Sequence, residues 1–424
     1  MTILTINRVL AVLSVFLLMA CSATRQLQEE VAKSALESDH FTGMTVIEAE
    51  SGKTVLDVQG NKYFTPASNV KLFTLFAAIK VLGDSVPSYD YGIFGDSLVL
   101  RGTADPMFLN DSSHQKSIRF LKDSSKKIYL VDEIMDDQIY GPGWSWEDFE
   151  MNYMPEKSVM PLYGNTVSII KSQGNVEVTP SFFADRVFEG EAGSFARERD
   201  ENQFYVHSSQ GNSVRKIPFI TSNQLTADLL SEKLEAKVTL LPLEGSKKVL
   251  DPFYELPYDS LYTKMIKESD NFIAEQLMLQ VGRKVSGKFS SRKGIDFVLD
   301  SCLAGIPQRP RWVDGSGLSR YNLFSPRGIA YLLREMYQEL PEERLLSYFP
   351  IGGVEGTMKG YYQEMPYLWA KSGSLSNNYC LSGYLRTKKG ALLIFSIMNN
   401  HYQGSSSERK TELVNLLKNL HERM

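Results

Sequence analysis

The sequence predicts a mixed α/β (α+β) fold, in which an antiparallel sheet flanked by helices is interrupted by a β-rich inserted lobe. Three observations favour this fold. Hairpin patterns lie near both ends of the chain, helical patterns lie between them, and residues 87–250 are short β-like runs broken by Gly, Pro, Ser and Asn. Because strands distant in sequence can join one sheet, we expect residues 41–86 and 251–424 to form one domain. Residues 87–250 would form the inserted domain or domains.

The first elements of the larger domain are a hairpin and a helix. Two β-rich runs that start at residue 41 are joined at Ser51-Gly52, which is typical of a hairpin turn. A helix is predicted over Ala67–Leu82, with Thr65 as its cap and Pro66 at its first position. Apolar residues cover almost every face of this helix, so it should be buried on nearly all sides.

The later elements of the larger domain begin after residue 251. Helical periodicity returns over residues 261–279. Two strand-like runs near the end of the chain, Tyr379–Arg386 and Ala391–Met398, are joined by a Lys-Lys-Gly turn and predict a second hairpin. An amphipathic helix, roughly Ser406–His421, should follow this hairpin.

Length and composition exclude several classes of protein. A chain of 424 residues is long enough for two or three domains. Its hydrophobic content of 43% and charged content of 23% are ordinary for globular proteins, so a largely disordered chain or a multi-span membrane protein does not fit. The net charge of -4 lacks the basic excess that nucleic-acid binding requires, so we expect no nucleic-acid partner.

The first 20 residues have the pattern of an export signal. Their apolar run, Val9–Ala20, is too short to span a bilayer as a helix. The run ends in Leu-Met-Ala followed by Cys21, which resembles a bacterial lipobox, although an ordinary signal peptide with a chance cysteine remains possible. The lipobox interpretation makes residues 21–40 a lipidated tether. The protein would be periplasmic and anchored through Cys21 to a membrane, the outer rather than the inner one.

A serine and a lysine lie three residues apart at the start of the apolar helix. Ser68 and Lys71 should therefore share a helix face, as a nucleophile and its base. The Ser-x-x-Lys spacing occurs seven times in the chain, but this copy opens the most apolar helix. Burial there would favour a neutral lysine that can accept the serine proton. A capping serine beside a solvated lysine fits the motif alone equally well.

Two further motifs follow later in the chain. Ser269 and Asn271 form a Ser-x-Asn motif, and their spacing places both in one cleft only at a helix end or in a loop. Chance is an adequate explanation of this short motif alone. The single Lys-[Ser/Thr]-Gly motif begins at Lys371 and opens the first strand of the terminal hairpin. It offers a cation and a hydroxyl to a carboxylate, although a simple turn before a strand also fits.

Together, in this order, the three motifs resemble those of penicillin-binding proteins and serine β-lactamases. Four more segments resemble the class C low-molecular-mass penicillin-binding proteins, which are D-Ala-D-Ala carboxypeptidases and endopeptidases: Leu100–Pro106, Gly141–Trp144, Val313–Asn322 and Gly352–Thr357. The resemblance covers most of the chain. It is looser over residues 181–250, and Ser372 stands where the family commonly has Thr. The segment after Val313 suits a tight loop near the cleft, to which we assign no catalytic residue.

The resemblance implies a penicillin-binding, serine β-lactamase-like catalytic domain that acts on peptidoglycan stem peptides ending in D-Ala-D-Ala and on cross-links. Ser68 would form an acyl-enzyme with Lys71 as its base. Ser269 would relay a proton to the leaving amine, Asn271 would hold the substrate amide and Lys71, and Lys371 would supply positive potential.

The resemblance also implies the residues that bind substrate. Ser372, Gly373 and Ser374 would line the binding strand, where Ser372 binds the terminal carboxylate. The backbone N–H groups of Ser68 and Ser374 would form the oxyanion hole. β-Lactams would be covalent inhibitors that occupy the same site.

Neither a metal nor a cofactor is expected. The five histidines show no ligand-like spacing and no Cys-x-x-Cys exists, while Cys302 and Cys380 are expected to be buried free thiols. Two alternative functions remain open. One is a serine β-lactamase, although no Glu-x-x-Leu-Asn-like segment precedes Lys371 to activate water. The other is a catalytically weak, lipid-anchored peptidoglycan-binding protein.

Overall fold

The computed structural model describes residues 28–30, 33, 38–110, 114–190, 196–207, 212–243 and 250–424. The predicted export signal and Cys21 lie outside these residues. Strands are numbered in chain order: β1 Phe41–Glu48, β2 Thr54–Val58, β3 Ser85–Phe94, β4 Ser97–Arg101, β5 Lys127–Asp132, β6 Thr166–Ser172, β7 Asn175–Thr179, β8 Val187–Gly190, β9 Phe204–His207, β10 Ser213–Pro218, β11 Val238–Pro242, β12 Asp251–Pro257, β13 Leu368–Leu375, β14 Asn378–Arg386 and β15 Leu392–Asn400.

The α-helices with defined bounds are numbered in the same way: α1 Val70–Val81, α2 Gln115–Asp123, α3 Asn223–Leu234, α4 Tyr258–Lys267, α5 Asn271–Ser286, α6 Ser291–Phe297, α7 Pro326–Glu339, α8 Glu342–Ser347 and α9 Ser406–Arg423. Among the described residues, no helix combines the length and apolar character needed to cross a membrane.

The two ends of the chain form one antiparallel sheet, with strand order β13-β14-β15-β1-β2. Strand β1 pairs with β15 from Phe41 opposite Asn400 to Glu48 opposite Leu393. The predicted α+β fold, with its sheet made from both ends of the sequence, is confirmed. The Lys-Ser-Gly motif lies on β13, a separate edge strand ahead of the predicted hairpin, because the chain adds one more strand before β14.

Helices cover both faces of this sheet. Successive residues of a strand point to opposite faces, so Ile394 packs in one core with α1 and α7 while Phe395 packs with α9 in another. Helix α1 lies in the first core with all its residues from Val70 to Ala78 buried, as its apolar faces predicted. Its start differs from the prediction, because Ala67–Asn69 form a 3₁₀ turn ahead of the α-helix and no side chain caps it.

In the described part of the region between α1 and α4 there are three further sheets and two α-helices. Its largest sheet has strand order β11-β5-β4-β3-β12, and the smaller ones are β10-β6-β7 and β8-β9. Parallel pairs join β4 to β5 and β5 to β11. Helices α2 and α3 complete a separate hydrophobic core, which includes Leu121, Leu230 and Leu130.

This region leaves and rejoins the larger domain at one place. Its outgoing strand β3 pairs antiparallel with its returning strand β12. The backbone N–H of Tyr258 donates to the carbonyl of Asp84 at 3.0 Å just beyond the two strands. The sheet therefore continues through Pro257, seven residues into the range 251–424 that was expected to belong to the catalytic domain.

Candidate active site

A cleft of about 710 Å³ opens between the start of α1, the start of α5, the end of β13 and the loop around Trp144. Its lining includes Ser68 and Asn271 from the first two motifs and Ser374, the residue that follows the third motif. The opposite wall includes Trp144 and Arg320. Stretches that lie about 100 to 300 residues apart in sequence therefore meet at one site.

Ser68 and Lys71 are in direct contact at the start of α1. Lys71 Nζ donates to Ser68 Oγ at 3.1 Å, and Lys71 is completely buried. Burial lowers the pKa of Lys71 to about 8, against the attraction of Asp314, Glu275 and Asp270 for the ammonium. A fraction of Lys71 is therefore neutral near physiological pH, within reach of the hydroxyl proton.

Two more acceptors fix Lys71 in place. Its Nζ donates to Asn271 Oδ1 and to the backbone carbonyl of Ser316, each at 2.6 Å. With Ser68, these contacts use the three directions in which an ammonium can donate. Lys71 is thus held against Ser68 instead of turning to solvent.

The second motif lies in the turn between α4 and α5. Asp270 caps α5, because its carboxylate accepts from the N–H of Ile273 at 2.9 Å. Ser269 precedes the cap with a φ of +61°, a left-handed conformation uncommon for serine, and Asn271 is the first helical residue. The turn directs Asn271 to Lys71 and Ser269 to Lys371, so both residues reach the same site.

The third motif supplies a second buried lysine. Lys371 Nζ donates to Ser269 Oγ at 2.8 Å and to the carbonyl of Ser372 at 2.6 Å. Burial, aided by the positive charge of Lys71, lowers the pKa of Lys371 well below its ordinary range. The side-chain amide of Asn69 donates to the carbonyl of Lys371 at 3.1 Å, which ties β13 to the turn that carries Ser68.

The rest of the motif lies beside this turn. Ser372 Oγ donates to Thr357 Oγ1 at 2.8 Å, so two hydroxyls lie together near Lys371. Gly373 lies so close to the start of α1 that a Cβ there would stand 2.8 Å from the Pro66 carbonyl oxygen. It would also stand 2.9 Å from the backbone nitrogen of Ser68. Only glycine allows the strand and the 3₁₀ turn to approach this closely.

Gly373→Ala should therefore slow acylation by a β-lactam about 100-fold, because the added methyl must push β13 away from the Ser68 backbone. The measurement is the second-order rate constant with a chromogenic β-lactam, together with the melting temperature. Gly83→Ala is the matched control, since a Cβ there meets nothing within 4 Å. A rate equal to that of the unmodified protein would contradict the importance of this close approach.

A loop that the sequence analysis left without a catalytic residue also contributes to the site. Asp314 is buried and its two oxygens accept from four donors: Trp144 Nε1, Gly317 N, Ser319 N and Asn322 Nδ2. The loop presents the carbonyl of Ser316 to Lys71. No side-chain motif could identify Ser316, because its contact uses a backbone oxygen that every residue type carries.

The site contains no arrangement suited to a metal. Over the described ranges, no group of three or more His, Cys, Asp or Glu residues could hold a metal ion. Cys302 and Cys380 are both free thiols, but only Cys380 is buried as predicted, whereas Cys302 is partly exposed. The groups that the three motifs supply are hydroxyls, amines, an amide and backbone N–H groups.

Comparison with known proteins gives consistent results. The model of the D-Ala-D-Ala carboxypeptidase 3 (S13) family matches residues 23–183 and 194–420. D-alanyl-D-alanine carboxypeptidase DacB of Haemophilus influenzae is 25% identical in an alignment of 429 positions, gaps included, that spans 87% of each chain. A D-alanyl-D-alanine carboxypeptidase of Actinomadura is 24% identical, over 86% of this chain and 78% of its own.

Solved structures share the fold. Penicillin binding protein 4 (DacB) from Haemophilus influenzae matches with a TM-score of 0.74 and 23% identity, over 92% of this chain and 98% of that one. A second structure of the same protein, complexed with a β-lactam, matches with a TM-score of 0.68 and 22% identity over the same shares.

Proposed function

The chain belongs to the D-Ala-D-Ala carboxypeptidase 3 (S13) family, as its three motifs predicted, and from this premise we propose how it works. It is a serine hydrolase that uses Ser68 to cleave the terminal D-Ala-D-Ala bond of peptidoglycan stem peptides and D-alanyl cross-links. The observation that carries the proposal is the 3.1 Å contact between Ser68 Oγ and a buried lysine amine. β-Lactams, which are bound by a relative of the same fold, acylate the same serine and inhibit the enzyme.

Acylation begins when Ser68 Oγ attacks the carbonyl carbon of the penultimate D-Ala. Neutral Lys71 takes the hydroxyl proton, and the backbone N–H groups of Ser68 and Ser374 stabilise the negative oxygen of the tetrahedral intermediate. The close contact at Gly373 supports this pairing, since it brings β13 to the Ser68 backbone.

The intermediate collapses when the carbon–nitrogen bond breaks. Ser269, hydrogen-bonded to Lys371, passes a proton to the leaving amine and receives in exchange the proton that Lys71 took from Ser68, so Lys71 is neutral again when D-Ala or the cross-linked amine departs. Water then attacks the acyl-enzyme while Lys71 takes its proton, and Lys71 returns that proton to Ser68 Oγ as the shortened peptide is released. No step requires a metal or another cofactor.

The substrate carboxylate is bound by a lysine and a hydroxyl on the edge strand β13. Lys371 provides positive potential near Ser372, whose hydroxyl lies 2.8 Å from Thr357 Oγ1. These groups bind the terminal carboxylate of the substrate, or the equivalent carboxylate of a β-lactam. Asn271, whose oxygen holds Lys71 at 2.6 Å, offers its amide edge to the substrate.

The direct test uses purified full-length protein in detergent and two muropeptides, a monomer ending in D-Ala-D-Ala and a D-alanyl cross-linked dimer. We expect chromatography with mass spectrometry to show release of free D-Ala, conversion of dimer to monomer, or both. Protein that has first been saturated with penicillin is the control. If neither substrate changes while the control protein carries the penicillin, the hydrolytic proposal is wrong.

The lifetime of the penicillin adduct separates the proposal from a β-lactamase. Both activities begin with an acylated serine, but a β-lactamase requires fast attack by water on the adduct. We expect an adduct that outlasts gel electrophoresis. Hydrolysis of many equivalents of penicillin per minute would favour the β-lactamase instead, and stable labelling without muropeptide cleavage would favour the binding protein.

We further propose that the protein is exported and carries a lipid on Cys21, which anchors it on the periplasmic side of a membrane, the outer one in preference to the inner. The apolar run before Cys21 and its lipobox-like end support this proposal. Cys21→Ser should abolish metabolic incorporation of labelled palmitate, whereas the control Cys302→Ser should retain it. Equal labelling of the Cys21 variant would contradict the anchor.

A further inference from the structure

Glu275 is a buried carboxylate behind the nucleophile that the mechanism above does not use. It lies on α5 one turn after Asn271 and is only 1% exposed. Its Oε1 accepts from the backbone N–H of Ser316 at 2.7 Å. Its Oε2 is also buried and finds no hydrogen-bond donor among the described residues. Burying a carboxylate with one oxygen left without a hydrogen bond costs free energy of folding, so Glu275 is expected to serve the site.

Two successive peptide groups of the loop between Glu275 and Lys71 are fixed by hydrogen bonds, each at its carbonyl and at its N–H. In the first, the Ser316 N–H donates to Glu275 and the Gly315 carbonyl accepts from Thr74 Oγ1 at 2.6 Å. In the second, the Gly317 N–H donates to Asp314 Oδ1 at 2.9 Å and the Ser316 carbonyl accepts from Lys71.

The loop packs directly against α5. A Cβ at Gly315 would stand 2.6 Å from the carbonyl oxygen of Ala274, so the two backbones are in contact. The hydrogen bond from the Ser316 N–H to Glu275 is one of the contacts that fix the loop, and its removal would loosen the position of the Ser316 carbonyl that faces Lys71. Hydrogen-bonded groups polarise one another, so the carboxylate also strengthens the Gly315 carbonyl as the acceptor from Thr74.

Charge gives Glu275 a second influence on Lys71. Burial disfavours the Lys71 ammonium, whereas Asp314, Glu275 and Asp270 favour the charged amine. Two of these acids have other partners: Asp314 accepts from four donors, and Asp270 caps α5.

Glu275 is itself sensitive to this surrounding charge. Burial and the charge of Asp314 raise the pKa of Glu275, while Lys157, which pairs with Asp137 at 3.1 Å, opposes the shift. Hydrogen bonds from Ser316 and Gly315 also oppose the shift, so both Lys157 and the loop favour the charged form of Glu275.

We propose that Glu275 is a positioning residue for acylation, which orients the Ser316 carbonyl on Lys71 and keeps Lys71 basic enough to hold the proton taken from Ser68. The role rests on the proposed function and adds the requirement that a carboxylate lie behind Lys71. A lysine that burial alone had neutralised would be a weak base, because proton affinity falls with the loss of charge stabilisation. The carboxylate opposes that loss without touching the substrate.

Glu275→Gln tests the charge, since the amide oxygen can still accept from Ser316. Two readouts are compared across pH: the side-chain NMR titration of Lys71 in protein with labelled lysine, assigned by Lys71→Arg, and the acylation rate with a chromogenic β-lactam. Lys71 should titrate near pH 8 in the unmodified protein. In Glu275→Gln the midpoint should move down by about one pH unit, and the limiting acylation rate at high pH should fall about tenfold.

Glu339→Gln is the matched control. Glu339 is the last residue of α7 and pairs with Lys80 near the far end of α1, so the substitution deletes one negative charge at a distance from the cleft. It should change neither readout. If Glu339→Gln shifts the Lys71 titration as much as Glu275→Gln does, the effect is one of net charge and the proposal is overturned.

The remaining outcomes are equally decisive. An unchanged Lys71 titration in Glu275→Gln overturns the role of Glu275 even when adducts form normally. An unmodified protein that forms no adduct contradicts the proposed function instead, because the titration does not depend on catalysis. Glu275→Asp carries the test if the glutamine variant does not fold. It keeps the charge but shortens the reach to Ser316, so it should preserve the titration while slowing acylation, and an unchanged rate would contradict the positioning role.

Discussion

Ser68→Ala should form no covalent adduct with a fluorescent penicillin and should lose hydrolysis of D-Ala-D-Ala substrates by about 10⁶-fold, the scale on which removal of a serine nucleophile acts. Ser68 is the hydroxyl that lies both in the cleft and against Lys71 Nζ. Without its Oγ no acyl bond can form, whatever the remaining residues do. Fluorescence on a denaturing gel measures the adduct, and released D-Ala measures turnover.

The control for this variant is Ser407→Ala. Ser407 has the same three-residue spacing to a lysine, Lys410, but it is exposed near the start of α9. It should label like the unmodified protein. Labelling that persists in folded Ser68→Ala protein would assign the nucleophile to another residue and would remove the basis of the proposed mechanism.

Lys71→Ala should slow acylation by about 10²- to 10⁴-fold while the fold survives, because general base catalysis contributes on this scale. The buried amine is the group placed to take the Ser68 proton, at 3.1 Å from the hydroxyl. The rate constant is measured by stopped-flow with a chromogenic β-lactam, and circular dichroism reports the fold.

Lys80→Ala is the matched control for this variant, since Lys80 lies on the same helix and forms a partly exposed ion pair with Glu339. Its acylation rate should equal that of the unmodified protein. A Lys71→Ala rate within a factor of about two of the unmodified protein would contradict the base assignment, and another group would have to accept the proton.

The parts of the fold that the sequence predicted are those set by local pattern. Helix α1 could be predicted because apolar residues occupy nearly all its faces, and burial of every residue from Val70 to Ala78 is the result. The two hairpins could be predicted from turn residues between β-rich runs. Pairing of β3 with β12 could not, because it joins residues about 160 positions apart and leaves no local signal.

In the site, sequence predicted residue types better than contacts. The three motifs identified Ser68, Lys71 and Lys371, because the reactivity of a hydroxyl or an amine follows from the residue type alone. Glu275 looks like one more polar residue in a helix, and only its buried contact with Ser316 distinguishes it. The left-handed conformation of Ser269 likewise depends on the packing of two helices, so no propensity scale could supply it.

The hydrogen bond between Tyr258 and Asp84 closes the chain at the point where the middle region begins and ends. The region between these two residues therefore begins and ends at the same place in the structure. Lengthening or trimming such a loop changes its closure entropy only slowly with the number of residues. Changes of length in parts of this region that do not contact the cleft are therefore expected to cost little stability and to leave Ser68 and Lys71 in place, whereas Trp144 and Tyr153, which bind the Asp314 loop and Asn271, must stay where they are.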